Sequence, residues 1–194
     1  MSRQSSDTRT RILDATWELL EQAPGKDISM SAIAKAAGIS RQAVYLHFAS
    51  RTELMIATTE YVDEVKGLYQ RMEKIDAAAD GSGMLQACVE VWGNYIPEIH
   101  AIAKALMRVK DTDADAATAW SRGMDCLREV NARIIDTLDQ EGKLAGSLQT
   151  DTATDLLTAM LSIEQWELLT GEYGWSTRQY VDEMKQLLSR CFVA

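Results

Sequence analysis

Residues 28–54 read Ile28-Ser-Met-Ser-Ala-Ile-Ala-Lys-Ala-Ala-Gly-Ile-Ser-Arg-Gln-Ala-Val-Tyr-Leu-His-Phe-Ala-Ser-Arg-Thr-Glu-Leu54. Ser29 can cap a helix whose inward positions are Ala32, Ile33 and Ala36, because a serine hydroxyl satisfies an otherwise orphaned backbone N–H. Ala36-Ala37-Gly38-Ile39 is the turn, with Gly38 free to take a positive φ. Ser40 caps a second helix from Arg41 to about Phe48, held down by Val44 and Phe48. Ser50 caps a third, and Glu53 three residues later completes a capping box. Helix, tight glycine turn and helix together form the layout that places one helix in the DNA major groove.

That second helix leaves Arg41, Gln42, Ala43, Tyr45, Leu46 and His47 outward or at its edges. Arginine suits guanine and glutamine suits adenine, and Ala43 can touch a thymine methyl. Tyr45 and His47 can donate to phosphates, which carry no sequence information. Arg51 adds a cation beside the free N–H groups at the start of the third helix. The candidate DNA contacts are therefore Ser29, Ser40, Arg41, Gln42, Ala43, Tyr45, His47 and Arg51.

Upstream, Asp7 or Thr8 can cap a first helix running to about Gln22, with Ile12, Leu13, Thr16, Leu19, Leu20 and Ala23 spaced by threes and fours. Pro24-Gly25 ends it. The chain's net charge of −9 looks wrong for a DNA binder. Its distribution answers the objection. Through Thr52 there are seven basic and five acidic residues, and beyond it 13 basic and 24 acidic. A mildly basic head on a strongly acidic body would be turned toward phosphates.

These pieces resemble the TetR family of bacterial transcriptional regulators. The resemblance rests on Ile12-Leu13-Asp14-Ala15, on Ser29-x-x-x-Ile33-Ala34-x-x-Ala37-Gly38-Ile39-Ser40, on Tyr45-x-His47-Phe48 and on Arg51-x-x-Leu54. It covers roughly the first 55 residues; beyond them only an all-helical body and the overall length agree. The resemblance implies an all-α homodimer with two DNA heads, a pseudo-palindromic operator, and a small-molecule cavity in each body. Ligand binding would change the separation of the heads and release the operator. Two positions depart from the family. Arg51 stands where lysine is usual, and Arg41-Gln42-Ala43 replaces a small segment that often contains Gly-Thr.

The rest of the chain reads as helices. One runs from Arg51 to about Ile75 and, in the resemblance, links head to body. Residues 76–83 form a polar break. The next helix, through Leu85, Cys88, Val89, Trp92, Tyr95 and Ile96, ends at Pro97, which can open another carrying His100 and Met107. A helix of roughly 25 residues passes Trp120, Met124 and Asn131 and stops at Gly142. Asn131 interrupts its apolar stripe as a core amide, a register device or a pocket donor. The last two helices span Thr150–Thr170 and Ser176–Phe192. Their apolar stripes, which include Leu156 and Leu187, are wide enough to cover the body on one side and a partner copy on the other. The expected division is residues 1–52 for DNA and residues 53–194 for ligand and dimer.

Trp92, Tyr95, His100, Met107, Trp120, Met124, Asn131, Met160 and Trp166 form the candidate ligand pocket, since aromatic and methionine linings with a few polar groups suit apolar or aromatic molecules. No cofactor is called for. Asp111, Asp113 and Asp115 are spaced like part of a calcium loop, but the loop's glycine and terminal glutamate are absent. Cys88, Cys126 and Cys191 are far apart with no CxxC; the simplest reading is three small buried thiols in a reducing compartment. No apolar run spans a membrane and no signal-peptide core opens the chain, so a cytoplasmic protein is expected. An enzyme lacks support: there is no phosphate-cradling loop, nucleophile elbow or metal set, and Glu98 beside His100 is a poor acid/base pair. A helical protein-interaction module without DNA binding is the remaining alternative.

Overall fold

Capping residues and left-handed glycines decide where these helices begin and end, and not always where the spacing suggests. The structure is a computed structural model that describes residues 3–23, 26, 28–146 and 148–194. Among them there is no strand, only an isolated bridge between Leu144 and Val193. The chain divides into two compact units. One comprises residues 1–66 and 99–121, the other residues 67–98 and 122–194.

In the first unit α1 (Arg3–Gln22), α2 (Met30–Ala36), α3 (Arg41–His47) and α4 (Arg51–Val65) follow in order. Among the described residues α1 covers Arg3–Gln22, so Asp7 and Thr8 lie within the helix and not at its cap. The expected Pro24-Gly25 stop lies outside the described residues. Ile12, Leu13, Leu20, Ile33, Val44, Phe48, Leu54 and Met55 are buried as the head's core. Thr16 joins them because its hydroxyl donates to the Ile12 carbonyl at 2.7 Å. Tyr61 of α4 donates to the Asp14 carboxylate of α1 at 2.6 Å.

Single helices were expected from Arg51 to Ile75 and from Thr150 to Thr170; both are broken. The first stops at Val65, and α5 (Leu68–Asp76) starts after Gly67, whose φ of 66° is left-handed. Glycine takes that conformation without the penalty other residues face. The second divides into α8 (Thr150–Met160), α9 (Ile163–Glu167) and a π-helical turn over Leu168–Glu172. At the break, Ser162 caps α9 by accepting from Gln165 N–H, and the Leu161 carbonyl accepts the Trp92 indole N–H at 2.6 Å.

Pro97 has the opposite outcome. It was expected to separate two helices, yet α6 runs unbroken over Gly81–Met107 with Pro97 inside. A proline removes one i→i−4 hydrogen bond at a cost of about 3 kcal/mol. Along the same helix Leu85, Val89, Ile96, Ile102 and Leu106 are buried, and burying such side chains is worth about 1.5–3 kcal/mol each. The packing outweighs the break.

The polar connection before α6 is capped by Asp80, which accepts from Gly83 N–H at 2.8 Å and from Lys143 Nζ at 2.8 Å. Helix α7 (Ala114–Gln140) closes on Gly142, at φ 67°, with Lys143 N–H returning to the Leu138 carbonyl. The last helix, α10, spans Thr177–Phe192. The core of the second unit gathers Leu85, Val89, Ile134, Leu138, Leu157, Tyr180 and Leu188. Gly93 lies so close to α10 that a Cβ there would meet Val181 at 2.7 Å. Of the three thiols expected to be buried, only Cys88 is; Cys126 and Cys191 are exposed. Helical spacing carries two of them to solvent-facing positions, which their apolar character alone did not reveal.

Candidate nucleic-acid interface

The turn between α2 and α3 is built by backbone hydrogen bonds that need a glycine. Gly38 N–H donates to the Lys35 carbonyl at 3.2 Å and Ile39 N–H to the Ala34 carbonyl at 3.0 Å. This paired closure requires a left-handed residue just past the helix, and Gly38 supplies it at φ 67°. Arg11 of α1 fixes the turn from outside by donating to the Ala37 carbonyl at 2.7 Å. Ser29 and Ser40 cap as expected, accepting from Ala32 N–H and Ala43 N–H at 3.2 and 3.1 Å.

Helix α3 is anchored by Val44 and by Phe48 just past its end, both buried, and Arg9 lies over the Phe48 ring at 5.0 Å. At about 100° per residue, Val44 and Phe48 lie about 40° apart on one face. Gln42 and Leu46 fall about 160° and 200° from Val44, and so form the outer crest. Exposure agrees: Gln42 is exposed and Leu46 is 82 % exposed, while Ala43 and His47, on one flank, are half-buried. On the other flank Arg41 stacks on the Tyr45 ring at 5.5 Å and donates to its hydroxyl at 3.4 Å. Arg41 is therefore part of a two-residue unit with Tyr45. The apolar member of the crest, Leu46, is the position that sequence reasoning named as outward but gave no role; the angular spacing from Val44 was the available signal.

The start of α4 is a second polar surface. Ser50 Oγ accepts from Glu53 N–H at 3.0 Å, and the Glu53 carboxylate accepts from Ala49 N–H at 2.6 Å. The box closes on the residue before the cap. Arg51 donates from Nε to the Ile28 carbonyl at 2.9 Å, so this cation also fastens α4 to the entry of α2. Next to it, Thr52 donates to the Asp113 carboxylate. Asp113 at the same time accepts from Asp115 N–H and Ala116 N–H as the cap of α7. The Thr52 hydroxyl, the Ala116 N–H and the Arg51 charge hold the Asp113 carboxyl below the usual carboxylate range. Asp113, the middle carboxylate of the run that resembled part of a calcium loop, thus has a structural employment.

The nine ligand candidates divide between the units. His100, Met107 and Trp120 belong to the first, and Trp92, Tyr95, Met124, Asn131, Met160 and Trp166 to the second. Within the second, the Trp92 and Tyr95 rings lie 6.1 Å apart at 38°, and Arg71 sits 5.5 Å over the Tyr95 ring. Asn131 is fully buried; its amide donates to Thr158 Oγ1 at 3.0 Å and accepts from the Cys88 thiol at 3.8 Å. Of the three roles open to it, that is a satisfied core amide. Trp166 is buried, while Met124 and Met160 are half-buried. A groove on this unit is lined by Arg71, Lys74, Ala87, Glu90, Val91 and Asn94, and includes none of the nine. Glu98 pairs with Arg71 at 2.6 Å, which employs the carboxylate once set beside His100.

The family model for bacterial regulatory proteins of the tetR family matches residues 12–58. The chain is 29% identical over 161 residues to the HTH-type transcriptional regulator EthR of Mycobacterium tuberculosis, covering 82% of this chain and 73% of that one. It is 37% identical over 75 residues to the nucleoid occlusion factor SlmA of a Marinomonas species. That match covers 39% of this chain and spans only 37% of the relative's length. A solved putative transcriptional regulator from Saccharomonospora viridis, in complex with choline, shares the fold at a TM-score of 0.80 and 19% identity, covering 97% of this chain and 99% of that one.

Proposed function

The chain belongs to the TetR family of bacterial regulatory proteins, and from that premise we propose that it is a dimeric repressor which a small molecule releases from its operator. The observation that carries this reading is helix α3: anchored underneath by Val44 and Phe48, capped by Ser40, and presenting exposed polar groups to solvent. Residues 1–52 hold the DNA and residues 53–194 hold the effector and the second copy. Arg41 and Gln42 read bases, with Ala43 at their side. Tyr45, His47, Arg51 and the capped helix starts at Ser29 and Ser40 meet phosphates. Because Arg41 rests on Tyr45, the pair meets DNA together, and the phenol keeps its own O–H for a phosphate.

The effector site is drawn from Trp92, Tyr95, Met124, Met160 and Trp166, aromatic and sulfur-bearing groups suited to an apolar or aromatic molecule, with the satisfied Asn131 amide left to the core. The choline-bound neighbour supports a small-molecule role for this fold. The likeness to the nucleoid occlusion factor lies within 75 residues and does not carry that protein's task to this chain. No helix among the described residues is long and apolar enough to cross a membrane. A place in the cytoplasm, beside the chromosome, follows from the DNA-binding role.

The test is selection of bound DNA from a random pool by the full chain, repeated with candidate effectors. A pseudo-palindrome with half-sites about one helical turn or slightly more apart is expected. Arg41→Ala and Gln42→Ala relax preference at one position per half-site. Arg51→Ala weakens binding to every sequence and lowers the salt slope by about one. Unchanged operator binding in all three variants sinks the assignment.

A further inference from the structure

The recognition helix carries one large side chain that the fold does not use. Leu46 is 82 % exposed, more than any other large apolar side chain among the described residues. It lies on the crest of α3, opposite Val44 and Phe48, so it contributes nothing to the head's core. A lone exposed leucine is ordinary on a protein surface. This one is hemmed in by the groups that meet DNA: Gln42 one turn before it on the crest, Tyr45 beside it on one flank and His47 on the other.

Building on the DNA-binding reading, we infer that Leu46 is a specificity-determining residue that reads a thymine through its 5-methyl group. In the major groove, thymine is the base that offers an apolar feature, and the match is an aliphatic side chain. Ala43 carries a single methyl close to the backbone and is half-buried on the flank, so it reaches less far. Gln42 and Leu46 are about 6 Å apart along the helix axis, near two base-pair steps. The crest therefore reads two positions about two base-pair steps apart by different chemistry, an adenine edge through an amide and a thymine methyl through an isobutyl group. Leu46 is dehydrated only when it meets its base, so the gain appears on specific DNA and not on phosphate-only encounters.

The experiment uses the full chain and the site it selects from a random pool, with each thymine replaced in turn by deoxyuridine, which lacks only the methyl. For the wild type, one replacement per half-site weakens binding about fourfold, the value of burying one methyl at ~0.8 kcal/mol. In Leu46→Ala, binding to the intact site falls and that replacement has no further effect. Leu46→Met, still apolar and long, keeps the sensitivity. If no thymine is sensitive, or if the same thymine stays sensitive in Leu46→Ala, Leu46 is not the reader, although the DNA-binding reading stands. If the pool yields no preferred sequence at all, both fall together.

Discussion

At the scale of single residues, the strongest constraint is conformational. Gly38 has open space around its missing side chain, the nearest atom being Arg11 Nη2 at 3.9 Å, yet its φ is 67°. Gly38→Ala therefore costs backbone strain and not a clash, about 1–2 kcal/mol, and lowers the midpoint of urea unfolding. Gly38→Asn, which tolerates that region better, loses less. If the two variants unfold alike, strain is not the cause. Gly38, like the Ser29, Ser40 and Ser50 caps, was legible in the sequence because its rule operates within four residues. The partners of Cys88 and Asn131 were not, because they lie 43 and 27 residues apart in the chain. Cys88 also sets a pH dependence. Burial pushes its thiol from an ordinary value of 9.0 up to about 12. Above pH 9 the unfolded chain sheds this proton while the folded one keeps it, so the thiol's contribution is complete below pH 9 and is lost as pH rises toward 12. Tyr61, held up to about 12 mainly by its hydrogen bond to Asp14, acts in the same direction. Stability measured from pH 8 to 11 should fall, and fall less steeply in Cys88→Ala; equal slopes would assign the loss to other groups. At pH 8 a disulfide reagent should titrate Cys126 and Cys191 in the folded chain, and Cys88 only after unfolding.

At the scale of elements, existence was easier to read than continuity. Apolar spacing located each helix because a buried stripe is needed whatever it packs against. It could not decide between a broken helix and a whole one, since that choice rests on groups from elsewhere. Gly67 breaks a helix the pattern ran through, and Pro97 fails to break one that the local rule divided. The break at Leu161–Ser162 shows the physics. A helix that stops leaves carbonyls without partners, and here the Leu161 carbonyl takes the Trp92 indole N–H while Ser162 caps the next segment. Nothing in residues 150–170 signals that a tryptophan 69 positions upstream will be there. Trp92→Phe keeps most of the ring and removes the donor, and should cost about 1–3 kcal/mol for a carbonyl left unsatisfied. Ser162→Ala should cost about 1 kcal/mol for the lost cap. A double-mutant cycle in urea should give a coupling between them, because both stabilise the same break. Strict additivity would mean that the carbonyl finds another donor and that the break is set by the cap alone. The cap of α7 adds an acid-side counterpart. The depressed carboxyl of Asp113 contributes stability above its ordinary range near pH 4, and loses it as pH falls through the lower folded value. Asp113→Asn, which still caps but carries no charge, should flatten that acid loss by lowering stability at neutral pH while leaving stability in acid nearly unchanged.

At the scale of the whole molecule, one seven-residue recognition helix is too little for a specific address. It reaches a few base edges, each worth about 1–3 kcal/mol of discrimination, against a background of very many competing sites. Two copies joined by a two-fold axis double the contacts and fix their spacing, which is why the dimer matters to the proposed function. The last helices leave Leu156 and Leu187 each 45 % exposed and Tyr173 66 % exposed, apolar groups that no neighbour in the single chain covers fully. In the proposed dimer, a partner copy seated there would supply that cover. Charge sharpens the choice of surface: with 24 acidic against 13 basic residues beyond Thr52, self-association through the acidic body needs an apolar patch to offset repulsion. Leu187→Glu puts a negative charge at one of these exposed apolar positions without touching the head. It should move the chain from dimer to monomer in sedimentation. Binding to the complete two-half-site operator should fall by about tenfold or more, since the second head loses its effective concentration. Binding to an isolated half-site should stay unchanged, because helix α3 and its anchors are intact. A variant that remains dimeric, or one that loses half-site binding as well, would place the contact between copies on a different face.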